Sequence, residues 1–219
     1  MTGNLIHGRC APGSDIDLKA ITTGDFVGKK VADDFKGYMV DCEHYPLDFL
    51  KSNIPREDIN LIAKIKNSRF LMGDRQVAAE IKTLIQKLPF EKMAFKSFRV
   101  GGGNLNEAQN EFDLGDYDAS IILCREAITS LAQSLLLKYR DVQARNKYIL
   151  KGLRKICPEH QEFFQKYVAI QGLQKVILEK RQHAEHVLDE TVSGYGYVQH
   201  VFEFWAWEDL SWDDFDFGI

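Results

Sequence analysis

The chain has 219 residues and a 45% hydrophobic content, enough apolar material for one large domain or two small ones, which excludes an intrinsically disordered protein. Twenty-eight basic against thirty-two acidic side chains leave a formal charge of -4, so no overall field draws the chain to nucleic acid or an anionic membrane. No apolar run approaches the roughly 18 residues needed to cross a bilayer. The start, MTGNLIHGRC, lacks the order of a signal peptide, and the four cysteines, Cys10, Cys42, Cys124 and Cys157, form no C-x-x-C pair. A cytoplasmic protein with reduced thiols and no membrane association is expected.

In chain order, Ile16 to Ile21 and Tyr38 to Glu43 read as strands of about six residues. Helices are predicted around Val27 to Phe35 and, as one or two segments, from Pro46 to Leu88, where Val77, Ile81, Leu84, Ile85 and Leu88 fall at helical spacing. The run Gly101-Gly102-Gly103 sits badly inside a regular element, so a hinge and domain boundary are placed there. Beyond it, Asn104 to Phe112 and Tyr117 to Tyr139 read as helices broken at Gly115-Asp116, where glycine ends the first and aspartate caps the second. The second helix carries Ile121, Cys124, Ile128, Leu131 and Leu135 on one stripe. Further helices are expected from Asn146 to Ile156 and from Pro158 onward. The fold class is therefore α+β, a small sheet-containing domain over residues 1–100 followed by an all-α bundle over residues 104–219. The end, WAWEDLSWDDFDFGI, is an acidic, aromatic tail with neither helix nor strand periodicity.

Chemistry concentrates in Gly13-Ser14-Asp15-Ile16-Asp17-Leu18. Alternate residues of a strand share a face, so Asp15 and Asp17 converge on one side and Ile16 and Leu18 on the other. Two adjacent carboxylates repel unless a cation lies between them, and a divalent ion there would bridge triphosphate oxygens. A D-x-D pair alone is more often the solvated end of a strand; the upstream glycines, Ser14 and a second acidic strand favour the site.

The run from Thr2-Gly3-Asn4 through Gly8 to Gly13-Ser14-Asp15-Ile16-Asp17-Leu18 resembles the signature of the minimal nucleotidyltransferases of the DNA polymerase β superfamily. The resemblance implies a small mixed-sheet nucleotidyltransferase domain that requires Mg²⁺ or Mn²⁺ and binds a nucleoside triphosphate, ATP foremost. It assigns Gly3, Asn4, Gly13 and Ser14 to the nucleotide, and Asp15, Asp17 and Asp41 to the metal and to catalysis, with Glu43 in reserve as the third acid. Asn4 replaces the family's serine, and the family's helix and strand ahead of this pair are not in the sequence, so the domain reads as N-terminally truncated.

Leu114-Gly115-Asp116-Tyr117-Asp118-Ala119 through Arg125-Glu126-Ala127 resembles HEPN-like helical bundles, which accompany such domains in kanamycin-nucleotidyltransferase-like architectures. Lys147 and Lys151 lie one helical turn apart, where they would serve as nucleotide-binding cations or as a solvated basic face. Arg181 and His186 fit the short Arg-x(4 to 6)-His pattern of HEPN ribonucleases, as do Arg154 and His160, which shows how little that pattern discriminates. The leading expectation is an enzyme that transfers AMP from ATP to a hydroxyl of a small molecule, a protein or RNA. The alternatives are a catalytically weakened nucleotide-binding or antitoxin-like regulator, and a HEPN-type ribonuclease. A homodimer or a protein partner is expected at the bundle and the tail.

Overall fold

The computed structural model describes residues 16–24, 28–35, 38–143, 145–156, 159–171 and 179–202. The chain divides into two compact units, residues 1–88 and 89–219.

In the first unit, β1 (Ile16–Thr22), β2 (Gly28–Phe35) and β3 (Tyr38–Pro46) form a sheet in the order β1-β3-β2. β1 runs parallel to β3 and β2 antiparallel to it, so the sheet is mixed. The expected helix around Val27 to Phe35 is instead β2, paired with β3 from Gly28 against His44 to Phe35 against Tyr38. Intrinsic propensity is a weak prior, and the open edge of β3 offers the segment a full ladder of backbone hydrogen bonds. Three helices follow, α1 (Leu47–Asn53), α2 (Ile59–Lys66) and α3 (Arg75–Gln86), with a short 3₁₀ turn at Ile54–Arg56. Asp58 caps α2 by accepting from the Asn60 and Leu61 amides, and Asp74 caps α3 by accepting from Gln76. Leu50, Ile54 and Ile62 are fully buried and Ile81 and Ile85 nearly so; they anchor these helices in one core.

The second unit contains α4 (Phe90–Leu114), α5 (Tyr117–Lys138), α6 (Asn146–Ile156), α7 (Gln161–Gln171) and α8 (Lys180–Phe202). The break between α4 and α5 falls where the sequence places it: Gly115 takes the left-handed conformation (φ 85°) and Asp116 accepts from the Ala119 amide. α5 is the central helix and packs against α4, α6, α7 and α8. Its stripe of Cys124, Ile128, Leu131 and Leu135 is fully buried. By length and composition α5 is apolar enough to cross a membrane, and its contacts with four other helices account for that character as core. Cys42 and Cys124 are free thiols. The tail beyond Phe202 and the start of the helix expected from Pro158 lie outside the described residues.

The glycine run is not a hinge. α4 passes straight through it, and the two units divide between residues 88 and 89 instead. A Cβ at Gly101 would lie 2.9 Å from Leu131 Cγ and Cδ2, and one at Gly102 would lie 3.1 Å from the Tyr195 ring. These glycines let α4 press against α5 and α8, and that contact outweighs their poor helix propensity. Gly103 has nothing within 4 Å of its would-be Cβ. Gly103→Ala is therefore expected to raise stability by about 1 kcal/mol through helix propensity, while Gly101→Val overpacks the α5 contact and costs about 1–3 kcal/mol. Urea unfolding of the two variants checks this; a Gly103→Ala variant with no gain would argue against a continuous α4.

Candidate active site

β1 and β3 carry the site because their parallel register sets Asp17 directly against Asp41. Register partners share a face of the sheet, so the two carboxylates stand side by side on neighbouring strands. Asp41 is 8% exposed and Asp17 partly exposed. The next row on that face pairs Lys19 with Glu43, and the row after it pairs Ile21 with Tyr45. Two like charges in adjacent positions make a pair that a bound cation stabilises.

Glu43 is held by a network of three side chains. Its Oε2 lies 3.0 Å from Lys19 Nζ and accepts from the Tyr45 hydroxyl at 2.7 Å, while Oε1 accepts from Lys64 Nζ at 3.1 Å. Burial by itself would raise the pKa of this carboxyl, but the hydrogen bonds from Tyr45, Lys19 and Lys64, with the Lys19 charge, outweigh burial and hold it down at about 2. Burial and the Glu43 carboxylate together push the Tyr45 phenol above its ordinary value. Its affinity for a proton is low, so the role of proton acceptor does not suit it. Asp41 is the acid that shares a row with Asp17.

Among the described residues, no group of three His, Cys, Asp or Glu side chains is placed to hold a metal ion. Gly3, Asn4, Gly13, Ser14 and Asp15 lie outside the described residues. The acids that the described part of the sheet places in one row are Asp17 and Asp41, and carboxylate oxygens are hard donors of the kind that suit Mg²⁺ and Mn²⁺.

No family model matches the chain, and no curated protein matches it. Among solved structures, it is similar to a nucleotidyltransferase-like protein from Exiguobacterium sibiricum 255-15. The match has 15% identity and a TM-score of 0.50, and covers 90% of this chain and 68% of that one. The fold is nucleotidyltransferase-like. A further match, to the protein TT1696 from Thermus thermophilus, has 19% identity and a TM-score of 0.35 over 49% of this chain and 96% of that one.

The remaining sequence candidates lie on different helices of the second unit. Lys147 and Lys151 are on α6 in the second unit, and Lys151 is exposed. Arg181 and His186 are both exposed on α8, where five residues turn the helix about 500° and leave them about 140° apart. His160, by contrast, is 3% exposed, with its ring nitrogens 2.8 Å from the hydroxyls of Tyr139 and Tyr197. Burial holds its pKa below the ordinary value, and Arg154 lies over the Phe164 ring, 5.7 Å from its centroid. These are packing roles. The residues that sequence reasoning missed are Lys19, Lys64 and Tyr45. The first has a local signal, since it lies two positions after Asp17 on the same face; Lys64 has none.

Proposed function

We propose that this chain is a metal-dependent nucleotidyltransferase that moves a nucleoside monophosphate, AMP from ATP, to a hydroxyl group of a small molecule, a protein or RNA. One observation carries the reading: Asp17, in a Gly13-Ser14-Asp15-Ile16-Asp17-Leu18 run, stands in register with Asp41 on the neighbouring parallel strand. The nucleotidyltransferase-like fold of the Exiguobacterium protein supports it. Asp15, Asp17 and Asp41 would hold Mg²⁺ or Mn²⁺, which neutralises triphosphate charge and positions its oxygens when bound. Gly3, Asn4, Gly13 and Ser14 would meet the phosphates through backbone and side-chain donors. The acceptor oxygen forms a bond to the α-phosphorus, the bridging bond to the β-phosphate breaks, and pyrophosphate leaves. Asp41 takes the acceptor proton, since Glu43 is held as a low-affinity carboxylate by Lys19, Lys64 and Tyr45.

The test is incubation with Mg²⁺ and α-phosphate-labelled ATP, CTP, GTP or UTP in the presence of small-molecule, protein and RNA fractions as acceptors. Label should transfer from ATP with release of pyrophosphate. No labelled product from the wild type, or equal labelling by an Asp15→Ala/Asp17→Ala variant, would refute the proposal. RNA cleavage that survives in this variant and disappears with His186→Ala would establish the ribonuclease alternative instead.

A further inference from the structure

Glu43 is one carboxylate served by two ammonium groups. Lys19 is its register partner across β1 and β3, and with a side chain only 7% exposed it is held in place. Lys64 arrives from α2 with its side chain 41% exposed, and its Nζ lies 3.1 Å from Glu43 Oε1. One buried ammonium already neutralises the carboxylate, and a second, half-exposed pairing contributes at most about 1 kcal/mol. Stability alone is therefore a weak reason for Lys64 to stand there.

Its position is informative. Glu43 shares a sheet face with Asp41, so Lys64 approaches the same face that carries Asp17 and Asp41. Residues two apart along a strand are separated by about 6.6 Å, within the swing of a lysine's four-carbon arm. Once a bound divalent cation neutralises the aspartates, this face no longer repels a polyanion, and Lys64 is a half-exposed cation at its edge.

We propose that Lys64 is a phosphate-binding residue, which leaves Glu43 to grip the triphosphate of a nucleotide seated at Asp17 and Asp41. This assignment rests on the nucleotidyltransferase reading above. Lys19 stays with Glu43 and keeps its charge compensated while Lys64 is away. The ammonium acts as a point charge on the phosphate oxygens and needs no fixed fork geometry, so arginine can substitute for it.

Calorimetric titration of the full chain with Mg²⁺ and α,β-methylene-ATP, whose α–β linkage resists transfer, reads this directly. Lys64→Met is expected to weaken nucleotide binding at least about tenfold and Lys64→Arg to stay within about threefold of wild type. Binding of Mn²⁺ alone should be unchanged or tighter in Lys64→Met, because only a cation has been removed from the acidic face. Urea unfolding of Lys64→Met within about 1 kcal/mol of wild type shows that the fold is intact. Wild-type nucleotide affinity in Lys64→Met, with binding still lost in Asp17→Asn, would overturn the Lys64 role and leave the nucleotidyltransferase reading standing. No nucleotide binding by the wild type with metal present would remove both.

Discussion

Asp17→Asn should lower nucleotidyl transfer at least about 100-fold, the scale set by removing one group that stabilises charge in a transition state. The substitution keeps size and hydrogen-bonding capacity and deletes one of two facing charges on β1 and β3. It should therefore leave stability without metal unchanged or slightly higher, because the repulsion with Asp41 disappears. Metal separates the two proteins further. At a Mg²⁺ or Mn²⁺ concentration about 100 times its dissociation constant, the wild type should gain about 2.7 kcal/mol of stability, and chelation should remove the gain. Asp17→Asn and Asp41→Asn should gain little. Melting curves with and without metal test this independently of any acceptor. A metal-induced rise of equal size in wild type and Asp17→Asn would place the cation elsewhere.

Glu43→Gln should cost about 2–3 kcal/mol at neutral pH. The amide leaves the Lys19 ammonium, 7% exposed, without its carboxylate, and loses the charge that both Lys64 and Tyr45 address. The pH dependence follows from the same contacts. The folded carboxyl titrates at about 2 and its ordinary value is 4.5, so the unfolded chain binds the extra proton between these values. The contribution of Glu43 is thus fully present above pH 4.5 and is lost as the pH falls through about 2. The separation of those values corresponds to roughly 3 kcal/mol, reduced to about 2 kcal/mol for a side chain that retains 19% exposure. Urea unfolding of wild type and Glu43→Gln at pH 7, 5 and 3 should show a constant gap between the first two and a smaller one at the third. A gap that does not change with pH would mean that the Glu43 charge is not what stabilises the network.

What is settled within a few residues could be read from the chain alone. Gly115 and Asp116 break α4 from α5 because a left-handed turn and a cap are local conformations. The buried stripe of α5 follows from helical spacing, and the face shared by Asp17 and Lys19 follows from strand alternation. A small sheet followed by a helical bundle was also legible, since apolar periods differ between strands and helices. Tertiary contact decided the rest. Residues 28–35 became a strand because the far edge of β3 needed a partner, and the glycine run became helix because α5 presses close at Gly101 and α8 at Gly102. The acid pair is divided in the same way: each aspartate is visible alone, but only the parallel register sets Asp17 against Asp41. The same register pairs Lys19 with Glu43, and Lys64 of α2 joins them across 21 positions of sequence. Side-chain charge is written in the sequence, but the distance between charges is set by the fold, so the candidate ligands could be read early while the cations that restrain Glu43 could not.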